Sequence, residues 1–375
     1  MNINPRLLVN RFGKLLHDVF VPRPLQDVEK KLVFDIEVLE LLINANNAIS
    51  RLDEMLKEID IYQLPYFKNY CLKKETVCSL EINGQNVSLE KLMTAALGAD
   101  QNDESYRHCI LLQEAIGRAE TDKINVEFIK DIHRRMITKQ THYPGQFRTG
   151  CNMINTYYRH NRIHPPLDEE IEESMVALVN YATYNHKTNY LIKTALIHYQ
   201  FTTIHPFVDG NKRMVRILNL LYLHQTHKQG NFVFCLSLYI LNHLKEYYLA
   251  LTDVRIHGNY QGWVEFYLQA IVDVCNYLRQ TLIYSKELLK RNRVKIVESS
   301  YSNTVKSTLV DILDFLVFNP VTTVKMLCSV FNKSHPAVSG WVKGLVDLGI
   351  LESAHFYRHS RLYVYREQFN ILNRL

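Results

Sequence analysis

Residues that make loose chain are scarce in this sequence. Its 375 residues include 13 glycines and 10 prolines, with no internal repeat and no low-complexity tract, and hydrophobic residues (47%) far outnumber charged ones (22%). That balance excludes a disordered or fibrous protein. No apolar run reaches the roughly 18 residues that would span a bilayer. The opening MNINPRLLVNRFGKLL lacks the apolar stretch of a secretory signal. Cysteines at 71, 78, 109, 151, 235, 275 and 328 show no CxxC and no Cys/His ligand spacing. Neither a zinc site nor a disulfide framework is indicated, and the thiols read as reduced. The expectation is a soluble, cytoplasmic protein with no membrane partner, although an uncleaved export address would leave no mark. A net charge of +6 leans only weakly toward phosphate-bearing partners.

What is present is mostly helical pattern. Residues 30–60 carry apolar positions at helical spacing, residues 73–97 read as helix, Asn83-Gly84 turn and helix, and two more amphipathic helices fill 103–140. Residues 141–167 differ: Pro-Gly opens the stretch, Pro-Pro closes it, and the aromatic and polar residues between suit a β-hairpin. Helical pattern returns from Asp168 to Lys290, and 291–304 is polar and without a clear apolar period. Three short helices and two strands then follow, the order of a winged helix-turn-helix, with Ser334 as N-cap and Pro336 in the first turn of the would-be recognition helix. The expected division is an N-terminal helical region over 1–100, a helical core over 101–290, a linker over 291–304 and a winged helix-turn-helix domain over 305–375.

The chemistry gathers in TTIHPFVDGNKRMVRIL, Thr202 to Leu218. A loop feeding a helix start offers unpaired N–H groups and the positive end of the helix dipole, both favourable to phosphate. Gly210 lets backbone approach closely. Asp209 can bind a hard cation such as Mg²⁺, Asn211 can bond a phosphate oxygen, and Arg213 and Arg216, three apart on one helix face, can clamp further phosphates. His205, whose ordinary pKa is near neutrality, can take a proton from a hydroxyl.

The string HPFVDGNKRMVR resembles the Fic motif, HxFx(D/E)GN(G/K)RxxR, and the flanking ALIHYQFTTIHPF, PGQFRT and LSLYILNHLKEYYLALTDVRIHGNYQGWVEFYL resemble Fic proteins too, so the likeness covers roughly residues 20–290. It implies a mainly α fold, a helical Fic catalytic core with a β-hairpin flap, for which a C-terminal winged helix is a common companion. It also implies transfer of AMP from ATP to a Ser, Thr or Tyr hydroxyl of a target protein, with self-modification. Carried over, His205 is the base, Asp209 holds Mg²⁺, the backbone of Gly210, Asn211 and Lys212 forms an anion hole, and Arg213 and Arg216 hold outer phosphates. Phe207 is a buried anchor, Asn242 contacts the nucleotide, and the hairpin of 148–165 presents the target hydroxyl by pairing with its backbone.

Two departures from the pattern matter. Lys212 replaces the commoner glycine, and in the Doc branch of the family a lysine there accompanies transfer of the terminal phosphate. Because Arg216 is retained, AMP transfer is the preferred reading, with a Doc-like phosphotransferase as the alternative. Upstream, Ser79-Leu80-Glu81-Ile82-Asn83-Gly84 resembles the inhibitory (S/T)xxxE(G/N) helix, with Asn83 in the glutamate's place facing Arg216. Glu81, roughly 200° away around the helix, is no substitute.

A reading from another class is a DNA-binding regulator whose Fic core has lost activity. Ser334, Ser339, Lys343, Arg358 and Arg361 are its candidate duplex contacts, joined by His335, His359 and Arg366. A Fic core held on DNA by these residues would act on DNA-bound or histone-like proteins. Metal hydrolysis through His198 and His205, or His160 and His164, is weaker, because no carboxylate-flanked ligand set surrounds them. Homodimerisation stays open.

Overall fold

The computed structural model describes residues 13–16, 19–59, 63–98, 100, 102–139, 142–149, 154–155, 162–184, 187–227, 234–357 and 360–374. The chain is mainly helical. A hairpin of β1 (Gly13–Leu16) and β2 (Val19–Pro22) leads into α1 (Leu25–Glu29), α2 (Ile36–Lys57), α3 (Leu64–Ile82), α4 (Leu89–Leu97), α5 (Glu104–Ala119) and α6 (Val126–Met136). Two short antiparallel strands, β3 (Ile154–Asn155) and β4 (Arg162–Ile163), precede α7 (Asp168–Tyr184), α8 (Tyr190–Ile204), α9 (Asn211–Thr226), α10 (Leu236–Asn242), α11 (Leu244–His257) and α12 (Tyr260–Glu298). The chain continues through α13 (Asn303–Leu316), β5 (Val321–Thr323), α14 (Val324–Phe331), α15 (His335–Asp347), β6 (Glu352–Tyr357), β7 (Ser360–Val364) and α16 (Arg366–Asn373).

Helix starts follow the side chains that can cap them. Asp35, Ser88, Asp103, Asn125, Asn259 and Thr323 each accept a hydrogen bond from a backbone N–H in the first turn, at α2, α4, α5, α6, α12 and α14. Ser334 stands at the N-cap of α15 but makes no side-chain cap bond. Helix α8 is buried almost all round, including Thr194, His198 and Thr203, and forms the centre of the bundle with α9 packed along it. A helix without a polar face belongs in a core.

Two expectations about organisation are corrected. The described part of residues 1–100 is packed into the rest of the bundle and not set apart from it: α2 lies along α12, α3 lies against α5 and α10, and one hydrophobic core runs from Leu25 to Leu372. The linker expected over 291–304 is largely helix, because α12 continues for 39 residues to Glu298. Its buried face there is Leu288, Asn292 and Ile296. The middle member is an amide whose Nδ2 donates to Tyr365 Oη at 2.6 Å, while Val294 and Val297 face solvent. Apolar residues outside and a polar one inside hide the period.

Beyond α12, helices α13, α14 and α15 pack around a second core containing Leu309, Leu313, Leu327, Val338, Val342 and Leu345, and the sheet runs β5-β7-β6 with both pairings antiparallel. Strand β5 and helix α16 are additions to the three helices and two strands expected. Among the described residues no helix is long and apolar enough to cross a membrane.

Candidate active site

Helices α8 and α9 are joined by residues 205–210, and both ends of that loop lie in the left-handed region. His205 ends α8 at φ 49°, and Gly210 begins α9 at φ 80°. A Cβ at Gly210 would also come within 2.8 Å of Met136 Cε and 2.9 Å of Ile137 Cδ1, so glycine serves both conformation and space. Between them Phe207 is fully buried. Its ring stacks on His133 of α6, centroids 3.7 Å apart and planes 6° from parallel.

Hydrogen bonds fix this loop from three sides. Asn211 Oδ1 accepts from Phe207 N at 2.9 Å while its Nδ2 donates to Phe207 O at 2.7 Å, so the amide closes the turn on itself. Arg148 Nε donates to His205 O and Arg148 N to Pro206 O, both at 2.9 Å, and its guanidinium also reaches Pro166 O. His133 accepts at Nδ1 from Gly145 N at 2.9 Å, which leaves Nε2 protonated to donate to Asp209 O at 3.0 Å.

A cavity of about 420 Å³ opens over the loop, lined by His205, Val208, Asp209, Gly210, Asn211, Lys212 and Arg213 and, from the end of α3, by Ile82, Asn83 and Gln85. The N-terminus of α9 opens into it without a side-chain cap, as an anion site requires. Burial pushes the His205 pKa down to about 4, with Arg255, Arg148 and Lys212 adding repulsion against a hydrogen bond to the Thr202 backbone. At neutral pH the imidazole is therefore uncharged and able to accept a proton. The Asp209 carboxylate is half exposed and pairs with His142 Nδ1 at 3.1 Å. Arg213 pairs with Glu104 at 3.1 Å, and Lys212 Nζ donates to Tyr248 Oη at 3.1 Å.

Arg216 is placed differently. It is 4% exposed, and its guanidinium donates to Ser79 Oγ and to Ser79 O, both at 2.8 Å. That carbonyl is among the last four of α3, which have no partner inside the helix, so Arg216 caps the negative end of α3. Asn83 is not the residue that faces Arg216; it ends α3 at the cavity wall, and Gly84 turns the chain away at φ 80°. Asn211 likewise spends its amide on Phe207 rather than leaving it for a phosphate. Asn242 is exposed at the end of α10, outside the cavity lining.

The sequence reading missed His133, His142, Glu104 and Tyr248. His133 had a visible signal, a polar residue on the apolar face formed by Phe128, Ile129, Ile132 and Met136. The flap lies mainly outside the described residues, which keep only the β3–β4 pairing. In the C-terminal region Ser334, His335, Lys343 and Arg361 are exposed, and Ser339 Oγ sits 3.3 Å from His335 Nδ1. Arg366 pairs with Glu352 and Glu90, while Arg358 and His359 fall outside the described residues, as do His160, Cys151 and the flap tip.

An uncapped helix N-terminus and a histidine held beside it by the loop 205–210 share one cavity in a helical bundle, an arrangement suited to group transfer. The Fic/DOC family model matches residues 123–223, which hold the whole loop, all of α8 and most of α9. Over that segment the chain is similar to Fic/DOC proteins. A curated protein from Aquifex aeolicus (strain VF5), named probable protein adenylyltransferase, is 27% identical over 161 residues, 41% of this chain and 48% of that protein. The chain thus spans about half the length of the curated relative it matches. Among solved structures, a Fic family protein from Desulfovibrio desulfuricans G20 aligns over 89% of this chain and 97% of its own, with TM-score 0.57 and 16% identity. Fic-1 from C. elegans aligns over 66% of this chain and 75% of its own, with TM-score 0.52 and 17% identity. The fold is that of Fic proteins.

Proposed function

We propose that the chain is a protein adenylyltransferase that moves AMP from ATP to a hydroxyl of a target protein and labels itself. The observation that carries this reading is a neutral His205 sharing one cavity with the open N-terminus of α9. Triphosphate oxygens accept from the backbone N–H groups at the start of α9, with Arg213 beside them. His205 removes the proton as the target hydroxyl oxygen bonds to the α-phosphorus; the bond to the bridging oxygen breaks and pyrophosphate leaves. Uncharged imidazole suits that step, since no proton must first be lost.

Asp209 fits a Mg²⁺ ion. Its carboxylate is half exposed at the cavity, and among the described residues no group of three or more metal-ligating side chains exists. Mg²⁺ commonly takes one or two carboxylates and completes its shell with phosphates and water. When bound it would neutralise phosphate charge.

Lys212 favours a second reading, transfer of the γ-phosphate, because it lines the same cavity and its ammonium could hold the triphosphate reversed on leaving Tyr248. Purified protein incubated with ATP labelled at the α or, separately, the γ position decides between them. AMP transfer puts label in protein only from the α position and adds an AMP to the intact mass. Label from γ alone overturns it.

For the region after α12 we propose contact with duplex DNA, supported by the exposed Ser334, His335, Lys343 and Arg361 on α15 and β7. The substrates that follow from it are DNA-bound or histone-like proteins.

A further inference from the structure

Helix α3 touches the site at one end and the C-terminal region along the rest. At its start Gln63 Nε2 donates to Asp314 O at 3.4 Å. Tyr66 meets Phe315 edge-on with centroids 5.2 Å apart, and Phe67 meets Phe318 at 5.3 Å. One turn further, Tyr70 Oη lies 2.9 Å from Leu372 O and 2.9 Å from Tyr277 Oη of α12. Tyr277 Oη in turn lies 3.2 Å from Leu372 O and 3.0 Å from Arg374 O. Lys74, 2% exposed, donates from Nζ to Arg374 O at 2.9 Å. A buried ammonium is costly without acceptors, so the carbonyl at 374 holds α3 and the chain after α16 together.

Five residues past Lys74, about 7.5 Å along the axis, Ser79 captures Arg216. Nothing between them gives way: Glu75, Thr76, Val77 and Cys78 are buried, and Glu75 accepts from Ser237 N at 3.0 Å and from Ser237 Oγ. A displacement at Lys74 is therefore transmitted to Ser79 by a packed helix.

We propose that the end of α16 and the residue after it clasp α3 and so govern nucleotide binding: while the carbonyls of Leu372 and Arg374 are held by Tyr70, Lys74 and Tyr277, the last turn of α3 keeps Arg216 on Ser79, and release of the clasp frees Arg216 for phosphate. This rests on the reading of the cavity as a nucleotide site. A guanidinium must leave two hydrogen bonds before it can grip a phosphate, and only the fraction of molecules in which it has left binds ATP at full strength. A partner that bends or grips the C-terminal region thereby tunes the site.

The test uses the full chain with Lys74→Met and Tyr277→Phe combined, and Tyr277→Phe alone in case the pair does not fold. Hydrogen exchange over 366–374 reports the clasp, exchange over 76–83 reports the end of α3, and calorimetric titration with Mg-ATP reports the site. Faster exchange in both segments with ATP bound at least threefold tighter is expected. Ser79→Ala should tighten ATP as well while leaving exchange over 366–374 as in the wild type. Faster exchange over 366–374 with unchanged exchange over 76–83 and unchanged ATP affinity overturns the proposal. If no variant and no wild type binds ATP, the nucleotide reading fails, and unchanged or raised exchange over 76–83 still decides whether the clasp holds α3.

Discussion

His205 occupies a backbone conformation that costs a residue with a side chain about 1–3 kcal/mol, and what keeps it there is visible: Arg148 on its carbonyl, Asn211 across the turn, Phe207 sunk in the core. His205→Ala should lower labelling at least a hundredfold, the low end of what a positioned base supplies, while ATP titrates much as before; labelling near the wild-type rate would remove His205 from the chemistry. The pKa lowered to about 4 makes the sign of the pH dependence definite. The base is neutral above that value, so kcat/KM should stay level well below the ordinary histidine range and fall only as the medium approaches the depressed pKa. The same shift bears on stability. The unfolded chain takes up a proton near pH 6.5 that folded His205 refuses until about 4, so stability present above 6.5 drains away as pH falls toward 4. His133, lowered by burial to about 4, adds to that loss. Asn211→Ala removes two bonds that hold Phe207 and should cost about 1–3 kcal/mol, read as a lower Tm together with lost ATP binding. That a glycine and a histidine share this loop was legible in the motif. That Asn211 and Arg216 turn inward was not, because a motif gives residue types and spacing but not the partners that claim their donors.

At the scale of elements, the site is two helix ends facing each other: the positive start of α9 and the negative finish of α3, with Arg216 bridging them. Asn83 stands where α3 meets the cavity. Asn83→Glu adds a negative charge beside an anion site and should weaken Mg-ATP binding several-fold, with labelling falling in step; an unchanged Kd would mean that phosphates bind elsewhere. Helices α2, α4, α5 and α6 were readable because apolar spacing agrees with caps such as Asp35, Asp103 and Asn125, whereas α3 starts at Leu64, nine residues before the 73 at which its pattern was read. The end of α12 was not, because its inner face carries Asn292 and its outer face two valines. Helix α16 escaped notice for a related reason: Gln368, fully buried, bonds Ser285 Oγ and Val317 O at 2.8 Å, a polar residue doing the work of a core residue.

For the whole molecule, the C-terminal region is packed on the helical bundle, not hung from it. If it binds duplex DNA, affinity should fall steeply with salt as phosphate counterions are released, and Lys343→Glu with Arg361→Glu should abolish binding without touching self-labelling. Absence of duplex binding at low salt in a gel-shift or anisotropy titration would assign the exposed face of α15 to a protein partner. Arg366 contributes nothing to such a footprint, being committed to Glu90 and Glu352.

Helix α12, 39 residues and about 58 Å long, runs from the bundle beside α8 to the second core. A leash would let a captured partner wander until some hydroxyl met the site, and every nearby surface would compete. A rod has no slack. On the proposed adenylyltransferase reading, a partner seated on the C-terminal region would be presented at one distance and one angle, and selection would follow where a hydroxyl lies on it more than how tightly it is held.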